Sequence, residues 1–182
     1  MRAIIVRHGN TFEPGVAPRR IGARTDVPLV ESGKAQAEAL AAHFTHTAFD
    51  RCLVSPLRRT RETAAIIAPG VPTERADWLR EIDHGPDEGT TEEAVRARIG
   101  TEALVRWEEA ALPPPGWIVD APARIAAWRG FFAEARGTIL LVTSNGASRF
   151  ALVALGLPPA RLRTGAYGEI IDGRLTAWDL RP

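Results

Sequence analysis

Cysteine, methionine and tyrosine occur once each in the 182 residues, and lysine occurs only at Lys34. A lone Cys52 rules out an intramolecular disulfide framework, which agrees with a reducing compartment, and a cytoplasmic location is expected. No apolar run approaches the length of a membrane span, and the first residues enter a strand pattern rather than a signal peptide. Neither charge sign is in excess: 23 basic against 22 acidic residues leave a formal net charge of +1. That balance gives no basic field for nucleic acid or an anionic membrane, so neither is expected as a partner. The four histidines show no metal-ligand spacing, so no metal or cofactor is expected. The near-complete preference for arginine over lysine reads as genome composition and is given no functional weight.

What remains is ordinary globular material, 45% hydrophobic and 25% charged, at a length suited to one domain over 1–182. Ala3-Ile4-Ile5-Val6 is a short buried strand. From Gly33 to Phe44, Ala37, Leu40, Ala41 and Phe44 recur at helical spacing. Cys52-Leu53-Val54 is a second strand, after which Ser55-Pro56 supplies an N-cap and first-turn proline for a helix to Ala68. Residues 91–111 and 121–135 read as helices around the breaker Pro113-Pro114-Pro115-Gly116. Thr138 to Thr143 is a continuous apolar strand of the kind buried on both faces of a parallel sheet. Ser144-Asn145-Gly146 turns into a further helix, and the tail, 166–179, folds as a hairpin about Asp172-Gly173. The expected architecture is a three-layer α/β/α sandwich with a mostly parallel sheet and an antiparallel edge.

Strand one ends in Arg7-His8-Gly9-Asn10-Thr11, at the sheet edge where open α/β proteins place ligands. Three other segments reach the same edge: the helix start carrying Arg59, then Glu81, then Ser144-Asn145-Gly146. A site that transfers a phosphoryl group needs fixed positive charge and aligned donors for its oxygens. Arg7 and Arg59 can each grip two oxygens through planar forks, and the two helix starts add backbone N–H groups. His8 is the candidate nucleophile, since a neutral ring nitrogen can attack phosphorus and divide the displacement into two steps. Glu81 is the candidate acid and base, protonating the leaving alkoxide and then activating water. Asn10, Thr11, Ser144 and Asn145 are candidate phosphate donors. His84 stands three residues past Glu81 and reads as a pocket-wall or surface residue ahead of a second catalytic imidazole.

These segments resemble the histidine phosphatase superfamily, the phosphoglycerate mutase-like proteins. Arg7-His8-Gly9-Asn10-Thr11 is similar to the family's opening motif, and Gly22 to Leu29 with Glu31-Ser32-Gly33 to the approach to its first helix. Ser55 to Ala64 is similar to the segment bearing the second phosphate-binding arginine, which by spacing is Arg59. Leu79 to Gly85 is similar to the segment bearing the acid/base glutamate. The resemblance covers nearly the whole chain. It implies the fold, a transient phosphohistidine at His8 and no metal requirement.

One departure matters. Where the family has a second histidine followed by glycine, this chain has Ser144 in an ungapped alignment, or Asn145 if the turn shifts by one. Exchanging a charge-assisted donor for a neutral one costs about 1–2 kcal/mol of transition-state binding, roughly tenfold to thirtyfold in rate. The expectation is a phosphomonoester hydrolase acting on a small, singly phosphorylated metabolite. The alternatives are a phosphomutase, or a phospho-ligand-binding protein weakened by the missing histidine. Loop 12–24 and segment 84–120, the latter a lid or cap, are expected to form the pocket mouth, with Arg19, Arg20 and Arg24 its positive charge.

Overall fold

The computed structural model describes all residues, 1–182. Strand β1 (Arg2–Arg7) lies at the centre of the molecule. It is followed by α1 (Glu31–His43), β2 (Arg51–Val54), α2 (Arg58–Ile67) and β3 (Thr73–Arg75). Helices α3 (Glu92–Ala110) and α4 (Ala121–Glu134) precede β4 (Thr138–Thr143) and α5 (Asn145–Ala154), and β5 (Tyr167–Ile171) and β6 (Arg174–Leu180) close the chain.

One sheet runs in the order β3-β2-β4-β1-β5-β6. Strands β3, β2, β4 and β1 are parallel, while β5 pairs antiparallel with both β1 and β6. Alternation assigns the two faces. Ala3, Ile5, Leu53, Ile139 and Leu141 point to one core with Trp107 of α3, Trp128 of α4 and Phe150 of α5. Ile4, Val6, Cys52, Val54, Leu140 and Val142 point to the other, under Leu40 of α1 and Ile67 of α2. The result is the expected three-layer α/β/α sandwich. Ile139 to Val142 are wholly buried, each side chain contributing about 1.5–3 kcal/mol over exposure, which explains the unbroken apolar run. Cys52 is wholly buried, and burial pushes its thiol up to about 11, so it packs as a small apolar side chain.

Two local expectations are corrected, and one strand carries no signal in the sequence. Ser55-Pro56 does not open α2. The chain bends at Pro56-Leu57, the helix begins at Arg58, and the Asp26 carboxylate accepts from the Arg58 amide at 2.5 Å, since Leu57 at the cap position has no capping side chain. The Ser55 hydroxyl instead accepts from the Leu57 amide at 3.4 Å. α1 starts at Glu31 rather than Gly33, where the acidic side chain suits the helix dipole. β3 carries no apolar pattern, because all three of its residues are exposed on an edge strand.

Candidate active site

The parallel strands β1, β4, β2 and β3 deliver four segments to one sheet edge, each leaving a strand's carboxyl end. His8 follows β1 directly, and its amide donates to the Thr143 carbonyl at the end of β4 at 3.1 Å. Gly9 then crosses the start of α1 so closely that a Cβ there would stand 2.2 Å from the Gly33 carbonyl oxygen. The glycine after the histidine is a packing requirement as well as a motif.

His8 is 3% exposed, and its Nδ1 lies 2.8 Å from the Gly9 carbonyl oxygen. A carbonyl only accepts, so Nδ1 carries the proton and Nε2 the lone pair. Arg59 Nε–H donates to that Nε2 at 3.2 Å. Burial first, then the charges of Arg59 and Arg7, holds the His8 pKa well below the usual imidazole value. The ring is therefore neutral, with one defined lone pair on Nε2.

Arg59 is wholly buried, and its terminal nitrogens donate to the Thr25 carbonyl at 2.7 Å and the Gly22 carbonyl at 3.3 Å. Loop 22–25 is itself pinned by Glu88. One Glu88 oxygen accepts from the Gly22 amide at 2.8 Å, the Arg24 amide at 3.1 Å and the Thr25 hydroxyl at 2.8 Å. Burial opposes that carboxylate's charge, but the His84 ring beside it, the Thr25 hydroxyl and the Gly22 and His84 amides hold its pKa down to about 2. Glu88 thus fixes the loop, the loop fixes Arg59, and Arg59 fixes the lone pair of His8.

Arg7 donates through one terminal nitrogen to the Leu162 carbonyl at 2.9 Å, while its buried Nε has no partner. Burial lowers its pKa to about 10, against the opposing pull of Glu81, so it stays charged near neutrality. Ser144 stands at the cap position of α5, wholly buried, but its hydroxyl caps nothing and has no partner. Unpartnered buried polar atoms need a reason, and an anion supplies one.

Glu81 is 6% exposed; its Oε1 accepts from the Ile82 amide at 2.9 Å and its Oε2 from the Gly146 amide at 3.2 Å. A Cβ on Gly146 would lie 2.3 Å from Glu81 Oε1, so the glycine leaves room for the carboxylate. Arg124 of α4, which the sequence did not single out, donates to the carbonyls of Trp78 at 3.3 Å, Arg80 at 2.7 Å and Glu81 at 3.5 Å. That clamp fixes the segment presenting Glu81.

A cavity of about 950 Å³ opens over this edge, with Arg7, Asn10, Thr11, Glu81, His84 and Asn145 in its wall. Asn10 is braced at both ends, donating to the Ser32 hydroxyl at 3.3 Å and accepting from Thr164 at 2.6 Å. Asn145 Oδ1 accepts from the Leu162 amide at 2.9 Å, which turns its NH₂ away from that bond. Arg19 and Arg20 also face the cavity; Arg24 does not, because it turns to Asp83 at 3.1 Å. Three arginines of the wall lie outside the expected mouth: Arg161, Arg163 and Arg181. In a chain with 22 arginines no pattern marks them, and only the β5–β6 hairpin brings them here. No group of three or more His, Cys, Asp or Glu side chains is placed to hold a metal ion.

A mixed α/β sheet thus carries, at the carboxyl edge of its parallel strands, a neutral histidine within reach of the charges of two arginines. The family model of the histidine phosphatase superfamily (branch 1) matches residues 3–169, and the chain belongs to that superfamily. It is 32% identical over 170 residues to a "Probable 2-carboxy-D-arabinitol-1-phosphatase" of Arabidopsis thaliana, covering 86% of this chain but 34% of that protein. It is 32% identical over 163 residues to a 2,3-bisphosphoglycerate-dependent phosphoglycerate mutase of Methylobacterium sp. (strain 4-46), covering 82% of this chain and 77% of the relative. The fold superposes on a mycobacterial glucosyl-3-phosphoglycerate phosphatase with TM-score 0.83 and 23% identity, covering 100% and 99% of the two chains.

Proposed function

We propose that the chain is a phosphomonoester hydrolase acting on a small phosphorylated metabolite through a phosphohistidine at His8. One observation carries this reading: His8 is neutral, its proton held on Nδ1 by Gly9 at 2.8 Å, and its Nε2 lone pair is oriented by Arg59. An imidazole kept unprotonated between two guanidiniums suits attack on an anion better than any packing role.

The incoming phosphoryl oxygens take the Arg59 Nε–H, which frees Nε2 to attack phosphorus in line with the leaving oxygen. The N–P bond forms as the P–O ester bond breaks, and protonated Glu81 delivers its proton to the departing alkoxide. Arg7, Arg59, the Ser144 hydroxyl and the Asn145 amide neutralise the group in transfer. Glu81, now ionised, takes a proton from water as that water attacks phosphorus and His8 leaves. Orthophosphate departs, with the proton returned to Glu81. Segment 84–120 acts as the cap, contributing His84, Trp107 and Glu108 to the wall.

Hydrolysis of p-nitrophenyl phosphate, with an acid-labile labelled adduct trapped on His8 and both lost in His8→Ala, is the expected result. Turnover surviving in His8→Ala, or an adduct on another residue, would overturn the proposal. The mutase relative makes one comparison necessary: transfer to an added phosphoglycerate rather than to water would identify a mutase. A hydrolase releases inorganic phosphate at the rate the ester disappears.

A further inference from the structure

We propose that the mouth of the cavity holds a second anion site, formed by Arg161 and Arg181, and that the substrate carries a second anionic group to fill it. The inference rests on the phosphatase reading above and extends it to the far end of the substrate.

The geometry is built rather than incidental. Segment 161–163 is stitched to the end of β6: the Arg163 amide and Nε donate to the two Asp179 carboxylate oxygens, each at 2.6 Å, and a terminal nitrogen to the Asp179 carbonyl at 2.9 Å. Trp178 Nε1 donates to the Arg161 carbonyl at 3.0 Å. Arg161 is thereby held beside the strand end that leads into Arg181. Both side chains face the cavity that Arg7 and Glu81 also face.

Other cations in that wall already have partners. Arg163 pairs with Asp179 at 2.6 Å, Arg20 with Glu92 at 2.8 Å, and Arg19 donates to the Gly89 carbonyl at 2.9 Å. Asp179 is the carboxylate nearest in sequence to Arg181, and Arg163 occupies it. Arg161 and Arg181 enter no ion pair of the chain, and their charges reach Arg7, adding to the burial that lowers its pKa. Six arginines share the wall with Glu13, Glu81, Glu92 and Glu108, of which Glu92 pairs with Arg20 and Glu108 with Arg149, and the excess positive charge is relieved by an anion. A guanidinium fork fits a carboxylate or a phosphate in two-point contact. The volume, about 950 Å³, is at the upper end of whole-ligand sites of roughly 300–1,000 Å³ and leaves room beyond the reacting phosphoryl.

The test compares phosphorylated ω-hydroxy acids of increasing chain length with their methyl esters, which keep the shape and lose the charge. A parallel arm uses diol bisphosphates of matched length. In the wild type the charged compounds are expected to show kcat/KM roughly tenfold above the esters at one preferred length, chiefly through KM, since a remote contact serves ground and transition states alike. The double variant Arg161→Gln/Arg181→Gln brings that ratio close to one. A larger gain for the acids identifies a carboxylate, a larger gain for the bisphosphates a phosphate, and either supports the site. Hydrolysis of all compounds with no preference for charge, or a preference untouched by the double variant, overturns the second site alone. If none is hydrolysed the phosphatase reading fails. Calorimetric binding then decides the site: tighter binding of the charged compounds, abolished in the double variant, upholds it, and equal binding overturns it.

Discussion

Replacing Arg59 separates the two things it does. In the proposed reaction its charge and fork serve the phosphoryl group, while two of its nitrogens hold the Thr25 and Gly22 carbonyls at 2.7 and 3.3 Å. Arg59→Met keeps volume and removes every donor. The part-buried Thr25 carbonyl loses its partner, at about 1–3 kcal/mol, and the Gly22 carbonyl keeps only the Thr25 amide at 3.4 Å, a smaller loss. A loss of about 3 kcal/mol lowers Tm by about 6–12 °C in a chain of this length. Catalysis loses a charge-assisted, two-point contact worth about 3–4 kcal/mol in the transition state, or roughly 10²–10³ in kcat. Arg59→Lys restores the charge without the fork. It should recover part of kcat but little of Tm, because one ammonium cannot reach His8, Thr25 and Gly22 together. Thermal melts and steady-state hydrolysis of p-nitrophenyl phosphate on the same preparations read both effects. A Met variant within threefold of wild-type kcat would refute the phosphate role. A melt unchanged within 2 °C would refute the loop-anchoring role.

Glu81→Gln should lower kcat about 10²-fold for an alkyl phosphate and much less for p-nitrophenyl phosphate, whose leaving group needs no proton; equal losses would remove Glu81 from the leaving-group side. His8 has a folded pKa well below its unfolded value of about 6.5, so the unfolded chain takes up the proton first. Its contribution to stability is whole above about pH 6.5 and declines as pH falls toward the folded value, and an NMR titration of the His8 ring should show no midpoint near 6.5. Asp87, 2% exposed, accepts from Arg98 Nε at 2.6 Å and Trp117 Nε1 at 2.7 Å. Asp87→Ala should destabilise the fold by about 2–3 kcal/mol, with the Trp117 environment changing in fluorescence, and a melt like the wild type would contradict the packing of the cap.

The sequence made the site's centre legible because chemistry and folding ask for the same residues there. Gly9 and Gly146 sit where a Cβ would collide with Gly33 and Glu81, so motif and packing coincide. The central strands were equally plain, since burial on both faces leaves only one kind of side chain. Signals failed where tertiary contact replaces local pattern. Ser55-Pro56 reads as a helix start, yet the chain bends at Pro56-Leu57 before the helix begins at Arg58, and Arg59 in the first turn of α2 meets His8. Arg124 looks like any helical arginine until α4 is laid across the Glu81 segment. Arg161 and Arg181 lie twenty residues apart and reach one cavity wall only through a hairpin.

The residues proposed to meet the phosphoryl group follow the ends of neighbouring strands locked in fixed register, whereas the outer wall is assembled from loop 12–20, α3 and the end of β6. Chemistry and choice of substrate therefore reside on separable stretches of chain. Retargeting by exchange of those outer pieces should leave the reacting centre in place, provided Glu88, which braces loop 22–25 from the cap side, travels with its partners.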